Sequence, residues 1–169
     1  MSNPTTITAT PGTPYVDIVR EFDAPVEAVF RAHVARELYE QWIGSAGDGI
    51  EVIEYDAAPG GTWKYVIKGP VNDARAAGGD NTAGEIMSFR GVFHTVEQNR
   101  LLVQTFEVSF APNQVGVDTT TFEDLGGGRS RLTLHELYPS IEARDAAMAS
   151  GMESGIRAGY DRLEEIAVA

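Results

Sequence analysis

The stretch from Ser150 to Ile166, SGMESGIRAGYDRLEEI, decides how the chain is read. On a wheel of about 100° per residue, Met152, Ile156, Tyr160, Leu163 and Ile166 fall on one arc, with Met148 one turn before them. Glu153, Arg157, Asp161 and Glu164 fall opposite and are expected in solvent, Glu153 and Arg157 at a favourable i,i+4 spacing. The pattern predicts one continuous amphipathic helix over 140–167, capped by Ser140, with its apolar arc against another layer. Gly151, Gly155 and Gly159 run along one edge of that arc, although each helical glycine costs roughly 1 kcal/mol against alanine. Two explanations stand side by side. The row lets the helix approach another backbone closely, or it leaves space beneath the helix for a ligand.

The layer beneath is legible upstream. Apolar and β-branched residues alternate over 15–23, 49–56, 60–68, 85–97, 100–110, 115–124 and 129–138, with turn residues between most of these runs. Trp63, Tyr65 and Ile67 share one face of their strand, and Lys64 and Lys68 the other. Between the first two strands, PVEAVFRAHV (25–34) and ARELYEQWI (35–43) read as two short helices. Asp23 is the expected cap of the first, and Pro25 suits its first turn. Residues 1–14 are small, polar and proline-bearing and read as a loose tail, and 15–169 as one domain. A first strand, two short helices, further strands and a terminal helix make an α+β protein with a mostly antiparallel sheet of about six or seven strands.

Composition bounds the function. The chain has 169 residues, 43% hydrophobic and 22% charged, the balance of a soluble globule. Its net charge of -12 disfavours nucleic acid and anionic membrane surfaces as partners. The absence of cysteine excludes disulfides, thiol nucleophiles and cysteine metal sites. Without a secretory leader or a long apolar run, a cytoplasmic location is expected.

Few motifs carry chemistry. GSAGDG (44–49) lacks the lysine and hydroxyl of a phosphate loop. His33, His94 and His135 have no metal spacing, so neither a metal nor another cofactor is expected. The carboxylates are more informative. In RLTLHELY, Leu132, Leu134, Glu136 and Tyr138 share a parity, and Asp118 shares one with Thr120 and Phe122. If the apolar members face inward, Asp118 and Glu136 do too, and an inward carboxylate must be paired, hydrated or functional.

Six blocks then carry a resemblance: REFDAPVEAVFRAHV, LYEQWI, YDAAPGGTWKYVIKGP, FRGVFHTVEQNRLLVQTFE, TTTFEDLGGGRSRLTLHELY and SGMESGIRAGYDRLEEI. Their order and spacing from Val16 to Ala167 resemble the heat-shock-protein-ninety ATPase activator-like family, within the START / birch-pollen-allergen-like (SRPBCC) superfamily. The resemblance implies a helix-grip fold, a curved antiparallel sheet around a long C-terminal helix, commonly with an apolar ligand between them.

Three functions follow as expectations. The first is a binding protein for an apolar or aromatic small molecule. Trp63, Tyr65, Phe93, Phe106 and Phe122 would form its wall, Met152, Ile156 and Tyr160 its lid, and Gln104, Asp118 or Glu136 its polar end. The second is an enzyme of the cyclase or dehydratase type, with Asp118, Glu136 and His94 as candidate catalytic groups. The third is a chaperone cofactor or protein-interaction module, with a homodimer as one form.

Overall fold

A computed structural model describes residues 3–43, 49–68 and 85–169. Its strands are β1 (Thr5–Thr8), β2 (Tyr15–Phe22), β3 (Ile50–Tyr55), β4 (Thr62–Lys68), β5 (Glu85–Glu97), β6 (Leu101–Val108), β7 (Gly116–Gly126) and β8 (Arg129–Leu137). Its helices are α1 (Val26–Val34), α2 (Arg36–Ile43), α3 (Ile141–Ala149) and α4 (Met152–Val168). The strands form one antiparallel sheet in the order β1-β2-β8-β7-β6-β5-β4-β3. This is the α+β helix-grip arrangement expected from the sequence.

The eighth strand lies within the stretch read as a loose tail. Thr5 to Thr8 pair with Arg20 to Asp17 of β2, and Thr5 is buried. Short polar residues hid this strand, because what holds it is backbone pairing and contact with α4 rather than an apolar face of its own.

The predicted continuous helix is two helices. Ser140 caps α3 as expected, its hydroxyl accepting from the Ala143 amide at 3.0 Å. The chain then turns at Gly151, with φ 83° and ψ 21°, a left-handed conformation that glycine adopts without steric cost. Arg144, buried on α3, donates to the Thr10 and Tyr15 carbonyls at 3.1 and 3.5 Å, so α3 follows the start of β2 while α4 takes its own direction.

Asp23 does not cap α1. Pro25 occupies that position, and its carbonyl accepts from Ala28 and Val29. Asp23 instead receives Arg129 on its carboxylate at 3.1 Å and gives its own amide to Glu164 at 3.0 Å.

The polar side of α4 also departs from expectation. Arg20 lies 1% exposed on β2, where alternation with Val16, Ile18 and Phe22 turns it inward. Its guanidinium reaches Glu164 at 2.7 Å and Asp161 at 2.9 Å, and donates to the Thr5 hydroxyl at 2.9 Å. The acids expected in solvent therefore neutralise a buried cation and join β1, β2 and α4.

One end of the sheet's inner face is densely filled. Phe22 meets Tyr160 edge-on at 6.0 Å, and Phe30 meets Phe122 at 5.3 Å. Trp42 lies 6.1 Å from Tyr160 and donates from its indole to the Ala32 carbonyl at 2.8 Å. Helix α4 packs chiefly on α1 and α2. Along β8 and just beyond it the inward side chains change accordingly: Ser130 and Leu132 are buried, whereas Leu134, Glu136 and Tyr138 are only half-buried.

Candidate functional site

Strand register builds the site. Phe93, Gln104, Asp118, Glu136 and Val16 are successive Cα partners across β5, β6, β7, β8 and β2. A transverse row on a sheet shares one face, so three polar side chains stand between Phe93 and Val16 on the inner side. Both ends of the row are fully buried, while Gln104, Asp118 and Glu136 are half-buried.

Aromatic residues surround the row. Phe106, two residues along β6 from Gln104, lies edge-on to Tyr138 at 5.3 Å. Its ring crosses Gly116, where a β-carbon would come within 2.3 Å of it, so only glycine admits the ring at that position. The Tyr138 hydroxyl donates to Glu136 Oε2 at 3.1 Å and lies 3.6 Å from the Met152 sulfur, linking β8 to the first turn of α4. Trp63, Tyr65 and Phe89 form a stacked series, with centroids 5.8 and 5.0 Å apart.

The two carboxyls are electrostatically unusual. Burial pushes Asp118 well above the ordinary carboxylate range, and the neighbouring Glu136 pushes it further. Burial raises Glu136 to about 7, against a smaller lowering by the Tyr138 hydrogen bond. Tyr65, Tyr138 and Tyr160 are raised by burial first and then by the charges of both carboxylates. Tyr39 is raised by burial first, then by its neighbouring tyrosines and Asp118. Four tyrosines, on α2, β4 and α4 and just after β8, therefore stand within electrostatic reach of the pair. Among the described residues, Asp118 Oδ1 and Trp63 Nε1 are the buried side-chain polar atoms without a hydrogen-bond partner. Neither carboxyl has a cationic partner there.

The sequence-predicted residues thus divide. Tyr65, Gln104, Phe106, Asp118, Glu136, Met152 and Ile156 are half-buried, and Trp63 and Tyr160 are buried beside them. Phe93 is fully buried and meets Tyr55 edge-on at 5.6 Å. Phe122 belongs to the filled end, between Phe30 and His33. His94 lies apart from the carboxylates, exposed on the outer face with its ring against the Thr95 hydroxyl at 2.7 Å, because an inward Phe93 sends its neighbour outward. GSAGDG lies, but for Gly49, outside the described residues.

Sequence reasoning missed Tyr39, Tyr55 and Tyr138 as members of the site. Tyr138 shares the parity of Glu136, and Tyr39 stands three residues before Trp42 on α2, so both had a usable signal. Tyr39 stacks on Tyr55 at 4.3 Å, and the Tyr55 hydroxyl donates to the His33 carbonyl.

The glycine row has three separate settings. Gly151 makes the turn. Gly155 faces open space, with nothing within 4 Å of where a β-carbon would stand. A β-carbon on Gly159 would meet the Trp42 side chain at 3.6 Å, ordinary contact.

Residues 23–167 match the family described as Activator of Hsp90 ATPase homolog 1-like protein. No curated protein matches the chain. Among solved structures, protein Ms6760 from Mycobacterium smegmatis is similar over 96% of this chain and 96% of its own, at 20% identity and a TM-score of 0.78. A protein from Arthrobacter aurescens is similar over 96% of this chain and 91% of its own, also at 20% identity and 0.78. DynU16, from the dynemicin biosynthetic locus, shares 16% identity over 90% of this chain and 46% of its own, with a TM-score of 0.62. At these identities the likeness is one of fold.

Proposed function

The chain belongs to the Activator of Hsp90 ATPase homolog 1-like family, and from that premise we propose that it binds an apolar or aromatic small molecule between the inner face of its sheet and α4. One observation carries the reading. Side chains that turn inward from β4, β6, β7 and β8 keep accessible surface, while α4 packs mainly on α1 and α2. An apolar interior left unfilled weakens a core, so space of this kind suits a ligand. Tyr65, Phe106 and Trp63 would supply the wall, Met152, Ile156 and Tyr160 the helix side, and Gln104, Asp118 and Glu136 the polar end. Helix α4 would close this region, with its last turns tied to β2 by Arg20 and its first turn to Tyr138.

Native mass spectrometry of the purified protein, with titration of a neutral naphthalene probe followed by tryptophan fluorescence, tests the reading. A co-purified small molecule displaced by the probe is the expected result. Absence of both a bound molecule and a probe response would sink it.

The carboxylate pair favours a second reading, an acid/base enzyme of the cyclase or dehydratase type. Two facing carboxyls held above their ordinary range offer a neutral acid and a carboxylate base in one place near neutral pH. Recovery of the co-purified molecule unchanged after long incubation favours binding; its conversion favours catalysis.

A further inference from the structure

We infer that the small molecule carries a protonated amine, whose ammonium group sits between Asp118 and Glu136 with aromatic faces around it. The inference rests on the ligand-binding reading above and names the ligand's polar end. Three observations lead to it. Asp118 and Glu136 are direct Cα partners on β7 and β8 and face the same side. Asp118 Oδ1 is buried without a hydrogen-bond donor. The buried arginines among the described residues are committed elsewhere, Arg20 to Asp161 and Glu164 and Arg144 to Asp145 and the Thr10 and Tyr15 carbonyls, so neither compensates the pair.

A neutral ligand hydroxyl would satisfy one oxygen and leave the two carboxyls competing for a proton. A divalent metal ion is a poorer fit, because no group of three or more metal-ligating side chains occurs among the described residues. A single positive charge with several N–H donors matches both the charge and the missing donor. Tyr65, Tyr138, Phe106 and Tyr160 offer ring faces of the kind that attract cations. The chain's net charge of -12 draws cations toward it.

The groups that bear on the pair's protonation are known from each element around it. They are Tyr39 on α2, Tyr65 on β4, Tyr138 just after β8 and Tyr160 on α4, the last also under the influence of Arg20 on β2. All the tyrosines are neutral near physiological pH, so the proton exchanged on binding belongs to the carboxyls. Uptake of an ammonium ion therefore expels the proton that the empty pair retains.

The test compares naphthylmethylamine with its neutral analogue naphthylmethanol by calorimetry on the full chain. At about pH 8 the amine is expected to bind at least about tenfold more tightly than the alcohol, as a charge-assisted contact requires. At about pH 6, where Glu136 is still largely protonated, amine binding should release protons, read from two buffers of different ionisation enthalpy. In the double variant Asp118→Asn/Glu136→Gln the ratio of amine to alcohol affinity should fall to about one, with thermal melts reporting that the variant folds. Equal affinities, or a tighter alcohol, in the unmodified protein would overturn the amine inference and leave small-molecule binding standing. Failure of both probes would overturn both. An advantage that survives the double variant would place the cation elsewhere and also overturn the inference.

Discussion

Asp118 and Glu136 stand directly opposite each other on neighbouring strands, two acidic side chains facing one interior with no cation between them among the described residues. Their raised pKa values make the folded protein hold protons more tightly than the unfolded chain. The resulting stabilisation is fully present below about pH 4, the unfolded range, and is lost as pH rises through the folded values. The pair should therefore contribute a fall in urea midpoints between about pH 4.5 and 7 in the unmodified protein, which Asp118 extends to higher pH. Asp118→Asn/Glu136→Gln should flatten that slope. Identical slopes would show that the pair ionises as freely folded as unfolded.

His33 works in the opposite direction. Its ring N–H at Nδ1 donates to the Val29 carbonyl at 2.8 Å, and burial lowers its pKa to about 4. The folded state thus prefers the neutral ring. This contribution is present above the unfolded value of about 6.5 and disappears as pH falls through about 4. His33→Asn keeps a donor near Nδ1. It should lower stability at neutral pH and weaken the loss of stability between about pH 6 and 4. An unaltered acid limb in urea melts would assign that loss to other groups.

Arg20 separates its two acidic partners by burial. The Glu164 side chain is 12% exposed and that of Asp161 is 49% exposed. Glu164→Gln should cost about 3 kcal/mol, the lower end of the range for breaking a buried pair, because Asp161 remains. Asp161→Asn should cost under about 1 kcal/mol, as solvent-exposed pairs do. Equal shifts in denaturation midpoint would contradict this division.

The glycines of the C-terminal segment should respond individually. Gly155→Ala removes a helix penalty where there is open space, and should raise stability by up to about 1 kcal/mol. Gly151→Ala places a side chain at φ 83°, and should lower it by about 1 kcal/mol or more. Thermal melts of the two variants that move in the same direction would refute the assignment.

Much of the architecture is legible in the sequence, for a physical reason. Alternation in β7 and β8 has a period of two, so Phe122 and Leu132 facing inward forced Asp118 and Glu136 inward as well. The same rule misled where an element's partner was unknown. Arg20 shares the parity of Ile18 and Phe22, but nothing local says that acids 141 and 144 residues away will meet it. Residues 5–8 lack an apolar pattern and gain their structure by pairing with β2. The break at Gly151 was obscured because a left-handed turn leaves the apolar spacing on either side almost unchanged. Phe122 and Phe93 carried the right chemistry for a ligand wall, but position along a strand, which composition does not encode, placed them in the filled interior.

The Arg20 clamp also imposes an order of assembly. Its guanidinium cannot enter the interior alone without a heavy desolvation cost, and the acids that relieve that cost arrive with the last helix. Closing a loop of such length is slow beside the formation of a hairpin such as β7–β8. Strand β2 should therefore settle only when α4 docks, which makes the clamp a check that nearly the whole fold is in place before its inner layer seals. Pulsed hydrogen exchange during refolding should show the amides of β2 and α4 gaining protection in one phase, after those of β7 and β8. Early protection of β2 with α4 still open would remove the clamp from that role.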